Sequence, residues 1–539
     1  MVGNEIINVT VDATKSEPLR RIWTFVGYDE PNYTYTNRGK ELLAKLGGMS
    51  SERYFVRCHF LLCTGDGVGS PKWGSTNVYT EDKNGQAIYD FTILDQIFDA
   101  YLENGCIPFV ELGFMPKALV SSTTELVYEA TSNAAWGCPP TDYGSWHDLI
   151  AAIAEHCLER YGLREVRRWY WELWNEPDLW YWQGTVEEYC KLYDYTVAGL
   201  HSVLPQANIG GPATTGPAKK VPAEFLRRFL EHCSVGTNAV TGLQGTRLDF
   251  VSFHAKGGGY KASSQAPKQT PSIFNLVRHV ETGLNILSTF PNYRGLEVIV
   301  SECDPDGWAA GSRHDNQNLE FRNTEYYGSY LANTVCQLMD LREDGPNQID
   351  GMLTWAFQFE NREYFEGLRT LSTNGLDKPV LNVFRLLSRL NSLRLKLTSA
   401  GHRDPLVVGS PDHAHAPPDV SGLATKDNAG SISVFLSCHH DDWDVHSKTK
   451  LSLQFHGLEF GRYKVQESIM DESNANSYSK WVELGQPTDP SETQIAEMKS
   501  AALLRPLQTG TVDSTDGSLS ILISMKSHSV RLVELKPTS

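Results

Sequence analysis

The sequence predicts an α/β protein: a (β/α)8 TIM barrel with an accessory C-terminal β-sandwich. Three observations lead there. Eight short apolar runs are separated by stretches with apolar residues three and four apart, the pattern of strands alternating with amphipathic helices. Several runs end on polar, chemically capable residues, as barrel strands do at their carboxyl ends. Towards the C-terminus the helical spacing gives way to alternating apolar and polar residues, the pattern of antiparallel strands with one buried face.

The strand-like runs are 23–27, 54–59, 108–113, 169–176, 209–212, 250–254, 298–302 and 351–357. Helices are expected over 93–102, 146–161, 186–204, 223–233, 273–290 and 324–342, and a helix over 380–395 closes the barrel. Residues 409–418 read as a loop, and its His413 and His415 as solvated rather than metal-binding. Beyond it, 432–436, 450–455, 463–467, 519–524 and 530–535 alternate as strands, and 6–11 near the N-terminus is expected to join them. Ser491-Glu492-Thr493-Gln494 is a capping box opening a helix over 495–504. The expected domains are 1–15, a strand joining the sandwich; 16–398, the barrel; and 399–539, the sandwich.

At 539 residues, 40 % of them apolar, the chain can bury one large and one small core without staples. Its 13 Trp and 23 Tyr suit stacking on sugars, although any single ring more often just fills a core. A net charge of −17 argues against nucleic acid and against anionic membrane surfaces, both of which need a basic face. No apolar run approaches the ~20 residues of a membrane span. The first residues lack the basic and apolar segments of a signal peptide, so a cytoplasmic protein, or a secreted one with its signal removed, is expected. The ten cysteines show no zinc spacing and read as buried thiols. Asn8-Val9-Thr10 and Asn32-Tyr33-Thr34 fit the glycosylation pattern, a motif that chance supplies often. No metal or organic cofactor is implied. Oligomeric state is open, a homo-oligomer included.

The most informative stretch is Trp169-Tyr170-Trp171-Glu172-Leu173-Trp174-Asn175-Glu176-Pro177. An aromatic strand runs into an amide, a carboxylate and a proline that cannot donate to a ladder. Glu176 is thus expected at a strand's carboxyl end, walled by indole rings. Apolar surroundings raise a carboxyl's pKa, which a general acid requires. Glu302 ends a second apolar strand. Counted along the runs, the two close the fourth and seventh strands, across the mouth of the barrel from each other. Paired strand-end carboxylates are the apparatus of glycoside hydrolysis. Trp355 on the eighth strand suits a stacking platform beneath a sugar, or is core. Glu360 and Arg369 follow on one loop, to grip distal hydroxyls or a charge, or to form surface ion pairs.

At Trp174-Asn175-Glu176-Pro177, taken with Phe253-His254 and Ser301-Glu302, the chain resembles glycoside hydrolase family 39, which includes β-xylosidases and α-L-iduronidases. The run from Met470 to Tyr478, with Trp481, Gly485 and Pro487, looks like the xylosidase accessory domain. The likeness covers nearly the whole chain and implies a retaining (β/α)8 glycosidase. By that resemblance Glu176 matches the acid/base and Glu302 the nucleophile. Asn175 matches the amide that contacts the hydroxyl beside the anomeric carbon, a position that would also brace the Glu176 turn. His59 and His254 match histidines lining the sugar subsite, with a core polar role as the rival.

Two segments depart from the xylosidase pattern. Lys256 stands where many family xylosidases carry tyrosine, and the segment from Glu302 through Cys303-Asp304-Pro305-Asp306-Gly307 to Trp308 also differs. Both look closer to the iduronidase branch. Three readings of Lys256 stay open: a partner for a substrate carboxylate, a local balance to Asp304, Asp306 or Glu302, or a solvated lysine. The expected function is a retaining exo-acting glycoside hydrolase, a β-D-xylosidase first. The alternatives are an iduronidase-like uronide hydrolase and an arabinoside-releasing exo-glycosidase. The partner is an oligosaccharide or glycoside. A carbohydrate-binding scaffold on a retained barrel would lack a carboxylate, and both are present. An endo-acting polysaccharidase would need an open cleft.

Overall fold

A computed structural model describes residues 6–50, 52–121, 126–129, 134–342, 345–355, 357–408 and 416–538. The eight barrel strands are β1 (Phe25–Tyr28), β2 (Phe55–Cys58), β3 (Ile107–Leu112), β4 (Tyr170–Leu173), β5 (Asn208–Thr214), β6 (Phe250–Lys256), β7 (Glu297–Asp304) and β8 (Gly351–Trp355). They close in sequence order into a barrel of parallel neighbours. Strands buried on both faces read as near-continuous apolar runs, which is why the sequence shows them.

The expected helices form, with ends displaced by a few residues: Thr92–Glu103, Tyr143–Tyr161, Val186–Val203, Lys220–Val235, Ile273–Ser288 and Glu325–Asp340. A helix over Asn37–Gly47, capped by Thr36, was not among them. It is short and carries glycine at its third and last positions, which weakens the pattern. The closing helix covers Pro379–Ser388 only. Leu393, Leu395 and Leu397 then alternate with polar residues, and Leu393–Ser399 is a strand.

That strand belongs to the accessory domain. It pairs with Ile6–Pro18, Val11 opposite Leu397. The domain is one nine-stranded sheet in the order Pro506–Ser514, Gly461–Met470, Ser529–Thr538, Ile432–His439, Asp419–Lys426, Leu393–Ser399, Ile6–Pro18, Lys448–His456 and Ser518–Lys526. The sheet curls around a core that includes Val9, Val11, Val434, Leu453, Phe455, Val533 and Leu535, so one folded sheet supplies both layers of the expected sandwich. Its neighbours are antiparallel except Ile6–Pro18 and Lys448–His456, which run parallel. Asp419–Lys426 and Pro506–Ser514 escaped the sequence reading because Gly, Ala, Ser and Pro dilute their β pattern.

The ten cysteines are buried and free. Asn32 is buried, and its side chain both accepts from the Ser75 N–H (2.9 Å) and donates to the Ser75 carbonyl (2.8 Å), so that motif does not present an amide to a glycan. His413 and His415 lie outside the described residues. Among the described residues no helix is long and apolar enough to cross a membrane.

Candidate active site

The period of two decides what each strand sends inward. On β4, Tyr170 joins the barrel interior with Phe25, Phe109, Phe250, Ile299, Leu353 and Trp355. Trp169, Trp171 and Leu173 face the helices instead. The indole wall expected around Glu176 is therefore elsewhere: Trp169 packs on Phe98 and Tyr161, and Trp174 on Phe114 and Trp182. The strand ends at Leu173. Trp174 and Glu176 then adopt left-handed backbone angles (φ +68° and +44°), which cost a residue with a side chain about 1–3 kcal/mol and cluster at functional sites. The Glu176 N–H donates to the Ala213 carbonyl at 2.9 Å, and Asp178 accepts from the Thr215 N–H at 2.8 Å. β5 and its loop thus hold the turn that carries Glu176 at the barrel mouth.

Glu302 owes its direction to a bulge. β6 and β7 pair in step up to Val300 opposite Phe253; the next pair is Glu302 opposite His254, leaving Ser301 extra. Ile299 points into the barrel, so a regular strand would send Ser301 inward and Glu302 out to the helices. The bulge reverses this. Glu302 and Asp304 share the inner face with their cross-strand partners His254 and Lys256, while Cys303 packs in the outer core.

Glu176, His254 and Glu302 bring one carboxylate oxygen or ring nitrogen each within 4.8 Å of the others. His254 Nδ1 lies 2.9 Å from Glu176 Oε1 and 3.8 Å from Glu302 Oε2. Lys256 Nζ donates to Glu302 Oε2 at 2.6 Å and also to Asp304. His59 Nε2 and Arg57 Nη1 each lie 3.5 Å from Glu302 Oε1. Burial works against a charge on Glu302, but His254, Lys256 and His59 outweigh it and hold the carboxyl well below its ordinary range. Burial likewise opposes the Lys256 ammonium, and Asp304 and Glu302 raise its pKa in spite of it. A metal ion on Glu176, His254 and Glu302 would face the Lys256 ammonium already seated on Glu302.

Beneath this pair lies a buried charge layer that sequence reasoning missed. Arg57 on β2 donates Nε to Glu172 at 2.6 Å and Nη2 to Asn175 Oδ1 at 3.1 Å, with Glu111 at 3.0 Å. Glu111 and Glu172 stand opposite each other on β3 and β4, where like charges repel unless a cation lies between them. Burial pushes the Glu111 carboxyl up, and Arg57 and His59 offset this only in part. His59 Nδ1 lies 2.6 Å from Glu111, and its Nε2 3.4 Å from Asp29. Burial pulls its pKa down, but Glu111, Glu302 and Asp29 prevail and bring it to about 9, so the ring is cationic at neutral pH. A signal was present. Arg57 precedes His59 by one strand period, and Glu111 and Glu172 interrupt apolar strands, where a buried charge demands a partner.

These groups line a cavity of about 420 Å³ at the carboxyl ends of the strands. His59, Asn175, Glu176, His254, Lys256, Glu302, Trp355 and Arg369 all reach it, together with the unanticipated Asp29 and Tyr181; Glu360 is not part of the lining. Trp355 is a buried wall (2 % exposed) rather than an open platform, with its ring 4.3 Å from His59 and 5.3 Å from the Arg57 guanidinium. Arg369 is engaged inside the protein, 3.4 Å from both Asp304 and Asp306 and donating to the Trp355 carbonyl at 3.1 Å. Glu360 accepts from the Thr36 hydroxyl (2.9 Å) at the start of the Asn37–Gly47 helix.

Known proteins are similar to this chain in sequence and in fold. A β-xylosidase of Geobacillus stearothermophilus is 28 % identical over 509 residues, 89 % of this chain and 86 % of that one. The human (Homo sapiens) α-L-iduronidase is 27 % identical over 548 residues, 93 % of this chain and 75 % of that one. In fold, the chain is similar to a monomeric β-xylosidase from Caulobacter crescentus CB15, with a TM-score of 0.77 at 23 % identity, covering 98 % of this chain and 99 % of that one. The family description "Glycosyl hydrolases family 39" matches residues 7–518. A match of that extent, over a barrel whose mouth holds a strand-end carboxylate pair, settles the family: the chain belongs to glycosyl hydrolases family 39 and is a glycosidase.

Proposed function

We propose that this glycosidase is a retaining, exo-acting β-D-xylosidase. The separation of the carboxylates carries the retaining step. One oxygen of Glu176 lies within 4.8 Å of one of Glu302. Retaining enzymes hold the two groups roughly 5–5.5 Å apart, whereas inverting ones need roughly 6.5–9.5 Å to seat a water between them. Glu302, held ionised, attacks the anomeric carbon as the bond to the leaving oxygen breaks, and Glu176 gives that oxygen its proton. Water then attacks the glycosyl-enzyme, Glu176 takes up a water proton, and Glu302 departs. Asn175 has its oxygen fastened by Arg57, which leaves its N–H groups to a sugar hydroxyl near the reacting carbon.

Exo action is supported by the wall of buried residues, Asp29, His59 and Trp355, that the cavity meets on the His59 side of Glu302. A neutral glycone is supported because the nearby cations are committed: Lys256 to Glu302 and Asp304, Arg369 to Asp304 and Asp306. A second reading, a uronide glycone, draws on the fact that Lys256 and Arg369 both reach the cavity. The test is a panel of aryl glycosides (β-D-xyloside, α-L-arabinoside, β-D-glucuronide and α-L-iduronide) with the anomer of the first product read by proton NMR. The expected result is the highest kcat/KM on the β-xyloside, with β-xylose appearing first. α-Xylose first would overturn retention. Turnover confined to a uronide would overturn the choice of sugar and move Lys256 onto the substrate.

A further inference from the structure

We infer that the leaving-group side of the cavity selects an aglycone sugar carrying a negative charge, through Lys219 and Arg278. The inference rests on the xyloside reading above for the glycone. Glu176 and Glu302 divide the cavity. The glycone takes the side walled by the buried Asp29, His59 and Trp355. Glu176 delivers its proton to the leaving oxygen, so the sugar behind that oxygen lies against the wall next to Glu176. That wall is tied to the acid's own turn. Asp178 accepts from both the N–H and the hydroxyl of Thr215, which anchors the segment leading to Lys219. One residue before Lys219, the Ala218 N–H donates to His279 Nδ1 at 3.1 Å, joining the segment to the Ile273–Ser288 helix that carries Arg278. The join is tight: a Cβ on Gly216 would lie 2.2 Å from the His279 ring. Burial first, then the charges of Lys219 and Arg278, bring the His279 pKa down to about 4, so this ring stays a neutral acceptor between them.

Lys219 and Arg278 line the cavity and are exposed, and neither enters an ion pair among the described residues. The Arg278 guanidinium lies 5.8 Å from the Phe274 ring. Of the other cavity cations, Lys256 and Arg369 are matched by carboxylates, while Lys72 has no ion pair among the described residues and lies near the buried Glu30, which accepts the Lys72 backbone N–H at 2.6 Å. In a chain of net charge −17, two unmatched cations flanking one histidine on one wall of a catalytic cavity draw an anion to that wall.

The test compares β-D-xylosyl-(1→4)-glucuronate, its methyl ester and β-D-xylosyl-(1→4)-glucose 6-sulfate. Ester and acid share linkage and ring and differ in charge. The expected kcat/KM ratio of acid to ester is roughly tenfold at low salt, the order that two exposed charge contacts supply, and falls towards one at high salt. The same ratio collapses in K219A/R278A. The ratio of glucuronate to sulfate tells which anion the wall prefers. Equal rates on acid and ester, or a preference that survives in the double variant, overturn this inference alone. No turnover of any of the three overturns the xyloside reading and this inference with it.

Discussion

Glu302 stays charged in a buried setting because Lys256 and His254 on the adjacent β6, and His59 at the end of β2, three strands away, reach it across the barrel mouth. Lys256 is the nearest of the three, at 2.6 Å. On the proposed roles, a nucleophile works only while ionised, so kcat/KM falls as pH drops through its pKa. Replacing Lys256 with Met removes a stabilising cation, raises that pKa and moves the acid limb of the pH profile to higher pH, by roughly 1–3 units for loss of one close opposite charge. The profile of Lys256→Met on a β-xyloside checks this. An unmoved acid limb together with a raised KM on uronides alone would give the lysine to the substrate. Glu176 and Glu302 were legible as single residues because each ends an apolar run beside tell-tale neighbours. Arg57, Glu111 and Glu172 were not, since nothing local says that three charges on three strands share one buried layer.

At the scale of elements, the strands do more than present their ends. The extra residue on β7 turns Glu302 inward, and a regular alternation would have turned it out. Periodicity read along one strand cannot reveal this, because a bulge exists only relative to the partner strand. The β1–β8 pair is equally specific. Gly27 stands opposite Trp355 in register, and a Cβ there would sit 2.6 Å from the indole and 2.8 Å from the Arg57 carbonyl. Gly27→Ala is therefore expected to destabilise the protein by about 1–3 kcal/mol, as overpacking does, and to raise KM by displacing the wall beside His59. Urea unfolding and steady-state kinetics on one preparation test it; unchanged values in both would show that the wall yields freely.

For the whole molecule, the N-terminal strand is the joint. Ile6–Pro18 lies inside the accessory sheet, between Leu393–Ser399 and Lys448–His456, and buries Val9 and Val11 completely. Removing residues 1–18 would open two strand edges and a core, which invites association. The truncated protein is expected to lose the sheet's cooperative unfolding and to aggregate on size-exclusion chromatography. A soluble species with an unchanged Tm would show the strand to be dispensable.

The barrel, the presence of a second β domain and the two strand-end carboxylates are legible in the amino-acid sequence alone. These follow from hydrophobic period and from a few adjacent residues, all local properties of the chain. It takes the folded chain to turn the Trp169 and Trp171 indoles to the helices, to seat Lys256 on Glu302 and Asp304, to set Arg57 between two buried glutamates and to hold Glu360 apart from the cavity. Each of these depends on register and burial between segments far apart in the chain, and the energy of a buried charge is set by the groups that fold around it.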